Sequence, residues 1–149
     1  MKKSLCLFCA LCMTLLLCSC GISDDIPAGY TASAEHFDPE PTQDHTDYGK
    51  YTYPSGEPFT NNGDYHIVGA GETEAIMGYF TNFGDWMETQ NRTGEYDFDP
   101  ACITAGDYVR IVTKEGDPVG NSRYGKYDNY SVYLFDTDSL TLFYIHSNI

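Results

Sequence analysis

Basic side chains are scarce in this 149-residue chain, where 8 Lys and Arg stand against 22 Asp and Glu and the formal net charge is −14. A surface that grips nucleic acid needs clustered Lys and Arg to displace counterions, so no nucleic-acid partner is expected. The same imbalance opposes a domain lying flat on an anionic bilayer. The acids are scattered, which serves solubility first and a basic partner or divalent cations second. Catalytic signatures are missing too: neither G-x-S-x-G nor H-E-x-x-H occurs. No apolar run reaches the roughly 20 residues that a membrane-spanning helix needs. Past residue 20 the one cysteine is Cys102.

Met1-Lys2-Lys3 is a short cationic region, and Leu5 to Leu17 is mostly apolar. Ser19 is small, and Asp24 and Asp25 follow at once. This is the three-part plan of a secretory signal. The segment closes on Leu17-Cys18-Ser19-Cys20, which resembles the lipobox of bacterial lipoproteins: Leu at −3, small residues at −2 and −1, and Cys at +1. The resemblance covers residues 1–20. It implies cleavage before Cys20, a diacylglycerol on the Cys20 thiol, and an extracytoplasmic chain lipid-anchored to a bacterial membrane. Such a group carries two acyl chains, which is what stable anchoring requires. Cys6, Cys9, Cys12 and Cys18 are then small apolar residues of a discarded segment, despite their C-x-x-C spacing. Cys102 is left alone, so neither an intrachain disulfide nor a Cys-based zinc site is expected. Between Ala101 and Ile103 its expected job is packing. A catalytic thiol would need a histidine such as His66 or His146 beside it.

The organisation expected is a signal peptide over 1–19, then a lipidated Cys20 with a flexible acidic tether to residue 58, then a small domain over 59–149. The tether carries Pro27, Pro39, Pro41, Pro54 and Pro58 and few recurring apolar residues. It therefore has little to bury against the cost of ordering a chain. His36 and His45 fall in it. Asp47 to Tyr53 is its one stretch able to add an edge strand, because Tyr51 and Tyr53 alternate. In the domain, Tyr65-His66-Ile67-Val68 reads as a first strand. Gly69-Ala70-Gly71 breaks it, but lacks both the third glycine of a dinucleotide fingerprint and the lysine of a phosphate loop. Glu72 and Glu74 come next; they repel phosphate and suit a helix N-terminus.

Ile76, Phe80, Phe83 and Met87 fall on one face of a 3.6-residue period and predict a helix over 72–89, widened by Tyr79 and Trp86. Gly78 and Gly84 inside it point to close approach or a kink. Glu95, Asp97 and Asp99 then alternate, as in a solvated strand edge with Tyr96 and Phe98 turned inward. That row could seat Ca²⁺, but Pro100 and Gly106 stand where an EF-hand loop needs its Gly and its bidentate Glu. Strands are predicted over 107–114, 130–135 and 140–145, the last two joined by the turn Asp136-Thr137-Asp138-Ser139.

These elements predict an α+β fold, one amphipathic helix packed on an antiparallel sheet of about four strands in β-α-β-β-β order. Cystatin-like modules share that order. The function expected is a non-catalytic interaction module without cofactor or metal, its partner a protein or a wall polymer. Its expected surface is the loop bearing Tyr124, Tyr127, Asp128 and Tyr130. An inhibitor-like protein that meets a basic cleft is a special case. The alternative is a small extracellular hydrolase with Glu95, Asp97 and Asp99 as acids and His66 or His146 as base. Against it, carboxylates two apart on one strand are neighbours and not opposed across a cleft. Replacing Cys20→Ser should strip the lipid label and release the protein from the membrane fraction; a variant still fully membrane-bound and labelled would refute the anchor.

Overall fold

The computed structural model describes residues 25–38, 44–114 and 125–149. The expected signal segment with Cys20, and Tyr124 of the expected surface, lie outside the described residues. The elements run β1 (Ala32–His36), β2 (His45–Thr52), α1 (Glu57–Thr60), β3 (His66–Ile67), α2 (Thr73–Thr89), β4 (Tyr108–Thr113), β5 (Asn129–Asp136) and β6 (Thr141–Asn148). All strands among the described residues join one antiparallel sheet of order β1-β2-β6-β5-β4-β3. The class is α+β, as expected, but the sheet has six strands and not about four.

The β5–β6 hairpin sits at the sheet centre. Its turn is set by Asp136, whose Oδ1 accepts the Asp138 amide at 2.9 Å and whose Oδ2 accepts the Ser139 hydroxyl at 2.6 Å. Leu140 closes it in a left-handed conformation with φ 55°. From there strand alternation sorts the side chains by face. Val132 and Leu134 of β5, with Phe143 and Ile145 of β6, meet α2. Helix α2 fills that face with Ile76, Tyr79, Phe80, Phe83 and Met87, the stripe its periodicity predicts. Phe98 follows α2 and stacks on Phe80 at 4.0 Å.

The opposite face is buried as well. Tyr133 and Phe135 of β5, with Leu142 and Tyr144 of β6, pack with Ile26, Tyr51, Tyr53, Phe59 and Tyr65. Phe59, delivered by α1, stacks on Phe135 at 3.9 Å. The chain near residue 25 is tied across this face: Asp25 accepts from Arg110 at 3.0 Å and from the Tyr133 hydroxyl at 3.3 Å. The Tyr53 hydroxyl donates to the Pro27 carbonyl at 2.6 Å.

Here the expected tether is corrected. Residues 32–36 and 45–52 are strands; the stretch from Asp47 able to form a strand does so, but as β2 inside the sheet between β1 and β6 and not at an edge. The reason is hydrogen bonding. Backbone of an interior strand is paired on both sides, so a polar sequence can be held there without an apolar pattern of its own. The second correction concerns Glu95, Asp97 and Asp99. Thr93–Glu95 and Pro100–Cys102 are 3₁₀ turns, so the acids do not form one strand edge. Tyr96 and Phe98 do turn inward.

A chain starting at residue 59 would strip β6 of its β2 neighbour and the second face of Ile26, Tyr51 and Tyr53. It should show no cooperative thermal transition by circular dichroism, whereas one starting at Asp25 should. In the intact protein, Phe59→Ala should cost about 3–5 kcal/mol, the usual loss for a core aromatic, measured by denaturant unfolding.

Candidate functional site

Of the four residues expected to form a binding surface, Tyr127 stands beside α2, Asp128 lies in the turn before β5, Tyr130 is core, and Tyr124 is not among the described residues. Tyr130 is 1% exposed. Its hydroxyl donates toward the Tyr79 carbonyl at 3.1 Å and Asn82 Oδ1 at 3.0 Å, so it fastens β5 to α2. Asp128 accepts the Gly125 amide and shapes the turn into β5. Tyr127 makes edge contacts with Tyr79 at 5.1 Å and Tyr130 at 6.3 Å. Its hydroxyl reaches α2 at Gly78, where an added Cβ would sit 2.6 Å away. Lys126 Nζ lies 5.0 Å from the Tyr127 ring and 5.3 Å from that of Tyr79. Beside this cluster runs an open groove of about 730 Å³ whose walls include Glu74, Thr81, Asn82, Asp85, Lys126 and Tyr127.

The residues of the expected hydrolase are dispersed among structural partners. Glu95 pairs with Arg92 at 2.7 Å, and that bond holds its carboxyl below the usual range. Asp97 accepts Lys50 at 2.8 Å and the Tyr48 hydroxyl at 2.7 Å; the lysine lowers its pKa most among its partners. Asp99 caps the following 3₁₀ turn through the Ala101 amide at 2.9 Å. His66 sits on β3, 3.3 Å from Glu72. Four strand spacings separate β3 from the β2 residues that hold Asp97, about 19 Å. His146 points to the sheet face away from α2, with Tyr144 and Leu142. Cys102 is half-buried, and burial together with Asp136 and Asp107 pushes its pKa up to about 12. A thiol so held is a poor nucleophile.

That second face also joins residues that the sequence reading set apart. His45 is on β2 and not in a tether, two residues from Asp47, and Asp47 is directly opposite His146 on β6. Ser131 is opposite His146 from β5. Ser131 Oγ is 2.9 Å from His146 Nδ1, and His45 Nε2 is 4.0 Å from Asp47 Oδ2. Burial, then the neighbouring His45, lower the His146 pKa and favour the neutral ring. The row Asp47–His146–Ser131 holds the residue types of a hydrolytic triad. Ser131, however, lies mid-strand between β4 and β6, and its backbone is laddered to both. No free amide pair is offered there to an oxyanion. What the group can do is ligate a metal: one atom each from His45, Asp47 and His146 lies within 4.8 Å of the others. The signal in the sequence was the His45-x-Asp47 spacing, which puts both side chains on one face once this stretch is a strand.

No helix among the described residues is long and apolar enough to cross a membrane. No protein-family model matches this chain, and no curated protein or solved structure does either.

Arg92 bonds Glu95, the Thr46 carbonyl at 3.3 Å and the His36 carbonyl at 3.4 Å, so it ties β1, β2 and the turn after α2 together. The Glu95 and Asp97 carboxyls are lowered in the fold, so their stabilising share is full above the ordinary carboxylate range and is lost as pH falls from that range through their lowered values. Arg92→Ala should therefore flatten the acid limb of the stability–pH curve; an unchanged acid limb in urea titrations would refute this role.

Proposed function

We propose that this chain is an extracytoplasmic lipoprotein, lipid-anchored to a bacterial membrane through Cys20, whose domain is a non-catalytic interaction module for a protein with a basic contact face. The anchor rests on the lipobox resemblance of residues 1–20. The module reading rests on one observation above others: the groove beside α2 combines Tyr127 with the carboxylates of Glu74 and Asp85 in a chain of net charge −14. Tyrosine supplies large contact area at small entropic cost, and acids at a groove wall steer a basic partner and fix its orientation. Lys126, drawn over the rings of Tyr79 and Tyr127, leaves the acids to dominate the approach. The candidate acids of a hydrolase are each engaged by a neighbour, which weighs toward binding over catalysis.

The test is capture of proteins and wall fragments from the cell envelope, at low and high salt. Wild-type protein should retain a protein partner at low salt and lose it at high salt. Gly78→Ala places a methyl where the Tyr127 hydroxyl rests and should displace that ring without unfolding α2, since alanine favours the helix by about 1 kcal/mol. Capture should fall for Gly78→Ala and for Tyr127→Ala. Retention on wall polymer at all salt concentrations, or capture indifferent to both substitutions, would refute the reading.

A further inference from the structure

On the sheet face away from α2, the register sets out the side chains in rows. Tyr51, Leu142 and Phe135 form one row, and Gly49, Tyr144 and Tyr133 the next. Then the chemistry changes. The third row is Asp47, His146 and Ser131, and the fourth is His45, Asn148 and Asn129. Two imidazoles and a carboxylate thus meet at the polar end of an otherwise apolar face.

We propose that His45, Asp47 and His146 form a binding site for a divalent metal ion of the zinc class. The donors are imidazole nitrogen and carboxylate oxygen without thiolate, the set that suits zinc and its neighbours and not the all-oxygen preference of calcium or magnesium. The three ligand atoms already converge within 4.8 Å, with His45 Nε2 and Asp47 Oδ2 4.0 Å apart. Metal–ligand bonds near 2.0–2.1 Å would bring such atoms to roughly 3.0–3.5 Å from one another. Small side-chain rotations on two interior strands cover that difference.

The surroundings support the assignment. Asp47 is 5% exposed, and its Oδ1 is fixed by the Asp38 amide at 2.9 Å, which leaves Oδ2 toward His45. Ser131 holds the His146 ring at Nδ1, the outer hydrogen bond that orients a ligand histidine. A carboxylate withdrawn from water is costly unless positive charge meets it, and a dication between two neutral imidazoles supplies that charge. The His45 side chain keeps 19% of its exposure, so an ion can enter from solvent. Three protein ligands leave one coordination position for water or a bound molecule.

The experiment uses the untagged full-length protein in detergent, freed of metal by chelator and titrated calorimetrically with zinc chloride and with calcium chloride. A single saturable zinc event with no calcium event is expected, and cobalt in place of zinc should give visible ligand-field bands. His45→Gln and His146→Gln should each abolish the zinc event while circular dichroism stays unchanged. Ser131→Ala keeps every ligand and should weaken binding about 10- to 100-fold. A measurement without variants guards against loss of folding: bound zinc should protect His45 and His146, and not His66, from diethyl pyrocarbonate. Absence of zinc binding by the wild-type protein would overturn the proposal. So would zinc binding that survives both histidine substitutions, or zinc binding that leaves His45 and His146 unprotected. Equal competition by calcium would overturn the metal class.

Discussion

Strands β5 and β6 turn apolar side chains to both faces of the sheet, and that constraint orders the rest of the molecule. Val132, Leu134 and Ile145 are fully buried under α2, while Phe135 and Leu142 are fully buried on the reverse side. A sheet of this kind cannot leave one face to water, because each exposed aromatic or aliphatic side chain forfeits about 1.5–3 kcal/mol of burial. One helix covers one face. The second cover has to come from elsewhere, and it comes from the chain before α2: Ile26, Tyr51, Tyr53, Phe59 and Tyr65. The described residues before α2 are therefore part of the fold because the hairpin needs them.

The aromatic load is explained by the same demand. Tyr48, Tyr51, Tyr53, Tyr65, Tyr79, Tyr130, Tyr133 and Tyr144 are all buried. Burial favours a partner for a phenol hydroxyl, and several find one at the margins of the core: Tyr48 on Asp97, Tyr53 on the Pro27 carbonyl, Tyr130 on the Tyr79 carbonyl and the half-buried Tyr96 on the Phe80 carbonyl. These bonds link loops to the layers they border. Tyrosine here is first a packing residue with a polar tether point. The groove beside α2 draws on Tyr127 because its ring rests at the edge of that core, against Tyr79 and Tyr130.

What could be read from sequence follows from how local each cause is. The stripe of α2 was legible because one-sided burial leaves a 3.6-residue period, and Ile76, Phe80, Phe83 and Met87 all end at 2% exposure or less. The hairpin was legible from its unbroken apolar runs and its Asp-rich turn. Those unbroken runs also carried an unused message, since a strand apolar at every position has two faces to cover. The burial of Tyr130 was available too, as it shares its parity with Val132 and Leu134. The alternation of Tyr51 and Tyr53 marked part of β2 as a possible edge strand, but its place inside the sheet was hidden for a physical reason. Its residues facing α2 include Thr46 and Lys50, which are satisfied by Gln90 and Asp97, partners more than forty positions away. No local pattern records such partners.

The histidine–aspartate group depends on the same hidden strand. With β2 in a tether, His45 and Asp47 would have no fixed relation to His146; with β2 laddered to β6, Asp47 and His146 are cross-strand neighbours held at sheet spacing. The second cover also grades along that face. Phe135 and Leu142 are fully buried and Tyr133 and Tyr144 nearly so, while Ser131, His45 and His146 are partly open. Polar chemistry thus gathers where the apolar cover thins, on rigid strands and within reach of solvent. A metal ion there would bridge β2 and β6, the junction through which the N-terminal layer joins the hairpin. Binding at the open end of the face would then stabilise the whole second layer, because any ion that binds only the folded arrangement of these strands shifts the folding equilibrium toward it.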